Sequence, residues 1–268
     1  MCMSFFNKKP KLQDKSVTIT ENGVQTVTPD TGKDGLSSVE ITTNVSGDEY
    51  NTKVNTEFTS SNNTILKNIT NLPTLDLRNL SSIASLFQNF SSLETAPDLI
   101  YNNITNMQSM FYSCKSLKSI PLYNTSSVTN MSNIFYECYN LTTIPLLDTS
   151  SVTNMSMAFA YCAKLTTIPQ IDTHNVANMQ SMFAVSTNLT TIPLLDTSSV
   201  TNMNGTFYNC LNLSNETLNN ILAMCINATS YTGTKTLKYI GISSAQATTC
   251  QGLSNYQAFL DAGWTTGY

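Results

Sequence analysis

Hydrophobic residues recur along most of this chain at a constant interval of 24 residues, and three positions of the repeat keep one residue type through five or six successive rows. The three columns are Phe87, Phe111, Phe135, Phe159, Phe183 and Phe207; Leu93, Leu117, Leu141, Leu165, Leu189 and Leu213; and Met107, Met131, Met155, Met179 and Met203. Because a single unit of this length cannot bury its own apolar face, a fixed period of about 20–50 residues predicts a solenoid of stacked units. The sequence therefore predicts an α/β repeat solenoid.

Each row is predicted to contain one strand and one helical piece. The Leu-x-x-Ile-Pro segment, residues 141–145 in one row, predicts the strand, with a gap in its ladder because proline has no N–H to donate. The Asn-Met-x-x-Met-Phe segment predicts a turn of α-helix or a 3₁₀ piece. Gly205 is the single glycine between Leu66 and Leu213, so Asn, Asp, Ser and Thr are expected to turn the corners.

The two ends of the chain follow different patterns. Residues 17–28 alternate around Asn22-Gly23 and predict a β-hairpin, and residues 38–45 predict a third strand. After the repeats, residues 214–225 predict a helix, 236–242 a strand, and 255–262 a short helix that ends at Gly263. These patterns divide the chain into a small β-rich docking module (1–58), the solenoid (59–213) and an α+β cap (214–268), in which Trp264 is expected to pack.

The charge content and the lack of long apolar runs exclude some classes of function. Charged residues make up 11% of the chain, against about 25% in an average soluble domain, and the formal net charge is −4. This balance argues against nucleic acid as a partner, since phosphate binding needs a basic face. The first residues lack the apolar run of a secretory signal, and no stretch reaches the about 18 apolar residues of a membrane span. We expect no membrane insertion, and delivery by a route other than secretion unless a signal has been removed.

The regular polar columns are interpreted as structural. The cysteine column is Cys114, Cys138, Cys162 and Cys210, with Ser186 in the fourth row. Stacked Cβ vectors run parallel rather than toward each other, which favours buried thiols over disulfides. Asp148, Asp172 and Asp196 favour Asx turns over a calcium site, because calcium needs about 6–8 oxygen ligands. His174 takes the place of a serine and is interpreted as a surface variant, so we expect no metal, no cofactor and no catalytic residue.

The remaining candidates form a possible binding surface of hydroxyl and aromatic side chains. A surface of this kind with few charges suits glycans or peptides, because aromatic area and hydroxyl groups supply the contacts. A neutral spacer surface is an equally good interpretation. The candidate binding residues are Thr143, Thr167, Thr191, Ser119, Tyr112, Tyr136, Tyr139 and Tyr208.

Two segments resemble known families. The row LTTIPLLDTSSVTNMSMAFAYC, residues 141–162, and its sister rows resemble the BspA-like family of leucine-rich-repeat surface proteins. This resemblance implies a solenoid of the leucine-rich-repeat type and adhesion to host or cell-surface ligands, with no catalytic residues to transfer. Residues 17–45, VTITENGVQTVTPDTGKDGLSSVEITTNV, resemble short β modules of phage and prophage structural proteins, which implies docking to a tail or capsid component.

Together these expectations describe a non-enzymatic phage or prophage virion protein, such as a tail fibre, tail tip or capsid decoration. Residues 1–58 would contact tail or capsid proteins, and the solenoid would contact a host surface protein or glycan. The alternative is an adhesin on the bacterial cell surface. A glycan-acting hydrolase is disfavoured, because glycosidases need a pair of acids on a groove and the regular acids here form a single file.

Overall fold

The computed structural model describes residues 2–3, 16–20, 23–27, 38–42, 72, 75–77 and 80–268. Near the N-terminus, strands β1 (Cys2–Met3), β2 (Ser16–Thr20), β3 (Gly23–Val27) and β4 (Ser38–Thr42) form one sheet in the order β1-β4-β2-β3. The antiparallel pair β2–β3 confirms the predicted hairpin, and β4 confirms the third strand. Residues 43–45 of that predicted strand lie outside the described residues.

From Leu75 onward, residues 24 positions apart are paired in parallel. Strand β5 (Leu75–Asp76) pairs with β6 (Leu99–Ile100), and further parallel bridges join equivalent residues of neighbouring rows. We call one 24-residue row of this stack a coil. The longest series of bridges joins Ser82, Asn106, Asn130, Asn154, Asn178 and Asn202.

The predicted strand at residues 141–145 is wrong. Within this segment Thr142 donates its backbone N–H to the carbonyl of Lys118 in the preceding coil, but the run forms no strand. Two other coil pairs reach a single bridge each at this position, Thr95–Ser119 and Thr167–Thr191. Pro145 cannot donate, so the ladder stops before it reaches the length of a strand.

The predicted helical piece is also wrong. The segment is a series of turns in which successive backbone N–H groups donate alternately within their own coil and to the next coil. Met110 donates to the carbonyl of Met107 within its own coil, as a 3₁₀ turn would. Ser109 and Phe111, however, donate to the carbonyls of residues 132 and 134 in the next coil. The segment is thus a ladder along the stack rather than a helix.

This alternation requires left-handed backbone at two residues of each coil. In one coil Ser109 and Ser113 have φ of 55° and 56°. Such conformations cost a non-glycine residue about 1–2 kcal/mol, and the hydrogen bonds to the next coil offset that cost. The positions with positive φ are Ser85, Asn89, Ser109, Ser113, Asn133, Glu137, Met157, Tyr161, Ser181, Val185, Gly205 and Asn209.

The three apolar columns fill the core of the coils. Neighbouring rings of the phenylalanine column stack in register, for example Phe111 on Phe135, with centroids 5.7 Å apart and planes 6° apart. The four cysteines of the column are free and buried, which confirms their interpretation as thiols. Cys114 donates through Sγ to the carbonyl of Phe87, 3.0 Å away, and Ser186 Oγ donates to that of Phe159 at 2.7 Å. Serine can therefore replace cysteine in this column.

The C-terminal segment contains three helices, α1 (Asn215–Asn227), α2 (Ser244–Cys250) and α3 (Tyr256–Asp261). The two predicted helices are confirmed, with Ser214 capping α1 and Gly263 following α3 at φ 81°. The strand predicted over residues 236–242 is wrong, since that segment is built of turns with one isolated bridge between Thr236 and Thr265. Helix α2 was not predicted.

Trp264 packs in this segment as expected. It is buried, its ring stacks on Tyr231 with centroids 5.3 Å apart, and Phe259 lies at 6.1 Å. These three rings form the centre of the C-terminal core.

Candidate binding surface

Three tyrosines one or two positions after a column phenylalanine form a row on the outside of the coils. Tyr112 and Tyr136 stack with ring centroids 4.7 Å and planes 11° apart. Tyr161 continues the row at 5.2 Å from Tyr136, with its ring tilted by 59°. We call Tyr112, Tyr136 and Tyr161 the tyrosine row; each is half-buried and keeps part of its ring in solvent.

Charged side chains border the row. Glu137 accepts a hydrogen bond of 2.6 Å from the hydroxyl of Ser113, and Lys115 Nζ lies 5.9 Å from the ring centroid of Tyr139. Desolvation, with smaller contributions from the neighbouring phenols and Glu137, raises the pKa of Tyr136. Desolvation followed by the charge of Glu137 raises the pKa of Tyr139. Both phenols therefore stay protonated near neutral pH and can donate hydrogen bonds to a ligand.

Tyr208 shares the sequence column of Tyr112 and Tyr136 but lies apart from the row. The intervening coils carry Ala160 and Ala184 at this position, and both are buried. Tyr208 is 61% exposed and lines a different groove, together with Tyr239. The two alanines interrupt the column and separate Tyr208 from the ring contacts of the row, so its role as a binding residue stays a prediction.

The predicted threonine stripe lies on another segment of each coil, after the column leucine. Thr143, Thr167 and Thr191 are exposed, whereas Ser119 is half-buried. Thr167 and Thr191 pair in parallel through their backbones. The stripe offers hydroxyl groups at regular spacing but no aromatic surface of its own.

Sequence reasoning missed an exposed leucine column beside the prolines. Leu122, Leu146 and Leu194 are 70%, 61% and 51% exposed. The sequence does contain a signal for this exposure. Gln170 takes the place of leucine in one coil, and a polar residue in an otherwise apolar column indicates that the column faces solvent. The residue that follows each of these leucines is buried (Tyr123, Leu147 and Leu195), so neighbouring apolar residues have opposite environments.

The aspartate column forms Asx turns, as predicted. Asp148 Oδ1 accepts hydrogen bonds from the backbone N–H and the hydroxyl of Ser150 at 3.1 and 2.6 Å. The hydroxyl bond, followed by the backbone bond, lowers the pKa of Asp148. In the next coil His174 takes the serine's place, with Nδ1 2.7 Å from Asp172, and both side chains are exposed.

Within the part of the chain that the structure describes, no cluster of three or more His, Cys, Asp or Glu residues is arranged to hold a metal ion. Over the same residues, no helix combines the length and the apolar character needed to cross a bilayer.

These features define a tandem-repeat protein with regular polar and aromatic columns on its surface. A family model described as "Mycoplasma protein of unknown function, DUF285" matches the chain twice, over residues 52–143 and 140–231. The chain belongs to this family. No curated protein matches it.

Proposed function

We propose that this chain is a non-enzymatic recognition protein, a leucine-rich-repeat solenoid of the BspA-like type that presents its tyrosine row to a host surface protein or glycan. We further propose that it is carried by a phage or prophage virion as a tail fibre, tail tip or capsid decoration. The observation that carries the recognition role is the tyrosine row itself, three half-buried aromatic rings in contact with one another on the surface of a repeating scaffold.

The row suits binding without rearrangement. Its rings sit on the turn segment whose backbone is bonded to the next coil, as Ser113 is to Tyr136 at 2.7 Å. A rigid platform loses little entropy on binding, and tyrosine combines apolar area with a hydroxyl donor. The low charge of the chain favours a ligand recognised by such contacts rather than by ion pairing.

The proposed carrier follows from the N-terminal segment. Strands β2, β3 and β4 lie almost entirely within residues 17–45, the stretch that resembles phage and prophage modules, and residues 1–58 are the proposed contact with tail or capsid proteins. The second candidate is a bacterial cell-surface adhesin, favoured by the resemblance of residues 141–162 to surface proteins. Both candidates use the same recognition surface.

A hydrolase is a weaker candidate because the regular acids are already engaged. Asp148, Asp172 and Asp196 each accept hydrogen bonds within their own turn, and these bonds lower their pKa values. A glycosidase acid must hold its proton near neutral pH, which requires the opposite shift.

The recognition role is tested by the binding of labelled protein to intact host cells. The double variant Tyr112→Ala/Tyr136→Ala is expected to bind at least about tenfold more weakly, a loss of about 1.4 kcal/mol. Leu146→Ala is the matched control, since it removes an exposed apolar side chain of the coils that lies outside the tyrosine row. Unchanged binding of the double variant would refute the role of the row.

The carrier is tested separately by mass spectrometry of particles purified from an induced host culture. Recovery at a stoichiometry that matches a tail or capsid symmetry supports the virion. Recovery in the cell-surface fraction alone refutes it and favours the adhesin.

A further inference from the structure

A groove lies where the last coil meets the C-terminal segment, and we call it the cap groove. It is an open groove with a volume of about 540 Å³, within the range of about 300–1,000 Å³ of small-molecule sites. Tyr208 of the last coil and Tyr239 of the C-terminal segment both line it, and their side chains are 61% and 40% exposed. The groove therefore presents two exposed aromatic rings to solvent.

The floor of the groove is held by the same hydrogen-bond ladder that joins the coils. Gly205 donates its N–H to the carbonyl of Tyr239 at 3.0 Å, and Phe207 donates to that of Ile240 at 2.9 Å. Residues 239–240 therefore occupy the place that the next coil would take. The positions of Tyr208 and Tyr239 are consequently set by one continuous backbone network.

Glycines permit close approach at two points of the groove, one between the last coil and the C-terminal segment and one within the C-terminal segment. Gly241 has φ of 97°, and a Cβ atom there would overlap the backbone nitrogen of Tyr208. Gly267 has φ of 77°, and a Cβ atom there would lie 2.8 Å from Cβ of Thr236. Both glycines line the groove, so its walls at these points are bare backbone.

The chemistry of the lining indicates the class of ligand. Asn204 and Thr234 offer an amide and a hydroxyl beside the two rings, and no carboxylate is among the described lining residues. The one charged lining residue, Lys238, has Nζ over the ring of Tyr268, 5.4 Å from its centroid. A saccharide matches this set, since its C–H faces pack on aromatic rings while its hydroxyl groups pair with amides and hydroxyls.

We propose that the cap groove binds a neutral saccharide of one or two rings through Tyr208, Tyr239 and Asn204. The site is distinct from the tyrosine row and does not depend on whether a virion or a cell carries the protein. It would give the chain a second contact point with a glycan-bearing surface.

The test is saturation-transfer NMR of the full chain with lactose, maltose, cellobiose and N,N′-diacetylchitobiose at millimolar concentrations. At least one of these disaccharides is expected to bind. Its affinity should fall at least about tenfold in Tyr208→Ala and in Tyr239→Ala, because each removes one ring face. Asn204→Ala should weaken binding by a smaller factor, and both tyrosine variants should keep the wild-type melting temperature because the two side chains are exposed.

Leu146→Ala is the matched control, since it removes an exposed apolar side chain outside both the cap groove and the tyrosine row, and it should leave disaccharide binding unchanged. Failure of all four sugars to bind overturns the proposal, and so does binding that survives both groove variants. Neither result affects the cell-binding role of the tyrosine row, which is read from Tyr112→Ala/Tyr136→Ala on intact cells.

Discussion

The coils and the C-terminal segment solve the same backbone problem in different ways. Both contain residues with positive φ, but in the coils these are serine, asparagine, glutamate, methionine, tyrosine and valine, with one glycine, Gly205. In residues 214–268 every residue with positive φ is a glycine: Gly241, Gly263 and Gly267. The difference teaches that a repeated hydrogen-bond ladder can hold strained non-glycine residues, whereas an unrepeated turn needs the conformational freedom of glycine.

We expect the largest loss of stability from a truncation in the phenylalanine column, whose rings stack from coil to coil. Phe135 lies between Phe111 and Phe159, with centroid distances of 5.7 Å on each side. Phe135→Ala should lower the free energy of unfolding by about 3–5 kcal/mol, measured by urea denaturation. Tyr239→Ala, an exposed ring in the C-terminal segment, is the control and should change it by less than about 0.5 kcal/mol. Equal effects would refute the phenylalanine column as the main support.

Gly241→Ala tests whether the C-terminal segment needs glycine at a position with positive φ. The new methyl group meets the backbone of Tyr208 at a φ of 97°, so we expect a loss of at least about 2 kcal/mol in the free energy of unfolding. Gly263→Ala is the control for the strain alone, because no heavy atom lies within 4 Å of its added Cβ. If the two variants lose the same stability, the close contact at Gly241 contributes nothing.

Ser186→Ala probes one hydrogen-bond position of the ladder. Ser186 Oγ donates to the carbonyl of Phe159 and accepts from the N–H of Cys162 at 3.1 Å, all within the buried core. Alanine leaves these backbone groups unpaired, at a cost of about 1–3 kcal/mol, read from thermal unfolding by circular dichroism. Ser186→Cys should recover part of the loss, because cysteine fills this position in four other coils. Equal stability of the two variants would contradict the role of the side-chain donor.

Much of the buried structure could be predicted from the sequence because the repeat reports it many times over. The phenylalanine and leucine columns, the thiols and the Asx turns at Asp148 and its equivalents follow from residue type at constant spacing. The strand at residues 141–145 did not form, because Pro145 ends its ladder, and most hydrogen bonds between coils lie instead in the turn segment, where Ser109 and Phe111 donate along the stack. No propensity of single residues reveals that alternation.

The candidate surface was harder to predict than the core. A column in the sequence indicates which residues align, but not whether smaller residues interrupt the row between them. Ala160 and Ala184 separate Tyr208 from Tyr136, and Tyr161 replaces the missing ring from the neighbouring position. The capping box at Ser243 and Gln246 is a sequence signal for helix α2. The helix was missed because it contains threonines and lacks apolar periodicity, so a search for hydrophobic patterns does not find it.

The smallest effect comes from Val185, the one β-branched residue with positive φ among the described residues, at 62°. Branching at Cβ makes this conformation unfavourable, whereas asparagine tolerates it. The backbone bond from Val185 to the carbonyl of Tyr208, 2.7 Å long, does not involve the side chain and should persist. Val185→Asn should therefore raise the free energy of unfolding by about 0.5–1 kcal/mol, measured by urea denaturation. Val185→Ala, which removes the branch but keeps Cβ, should gain less. If neither variant is more stable than the wild type, the ladder removes the strain entirely, and the contrast with the glycines of the C-terminal segment is larger still.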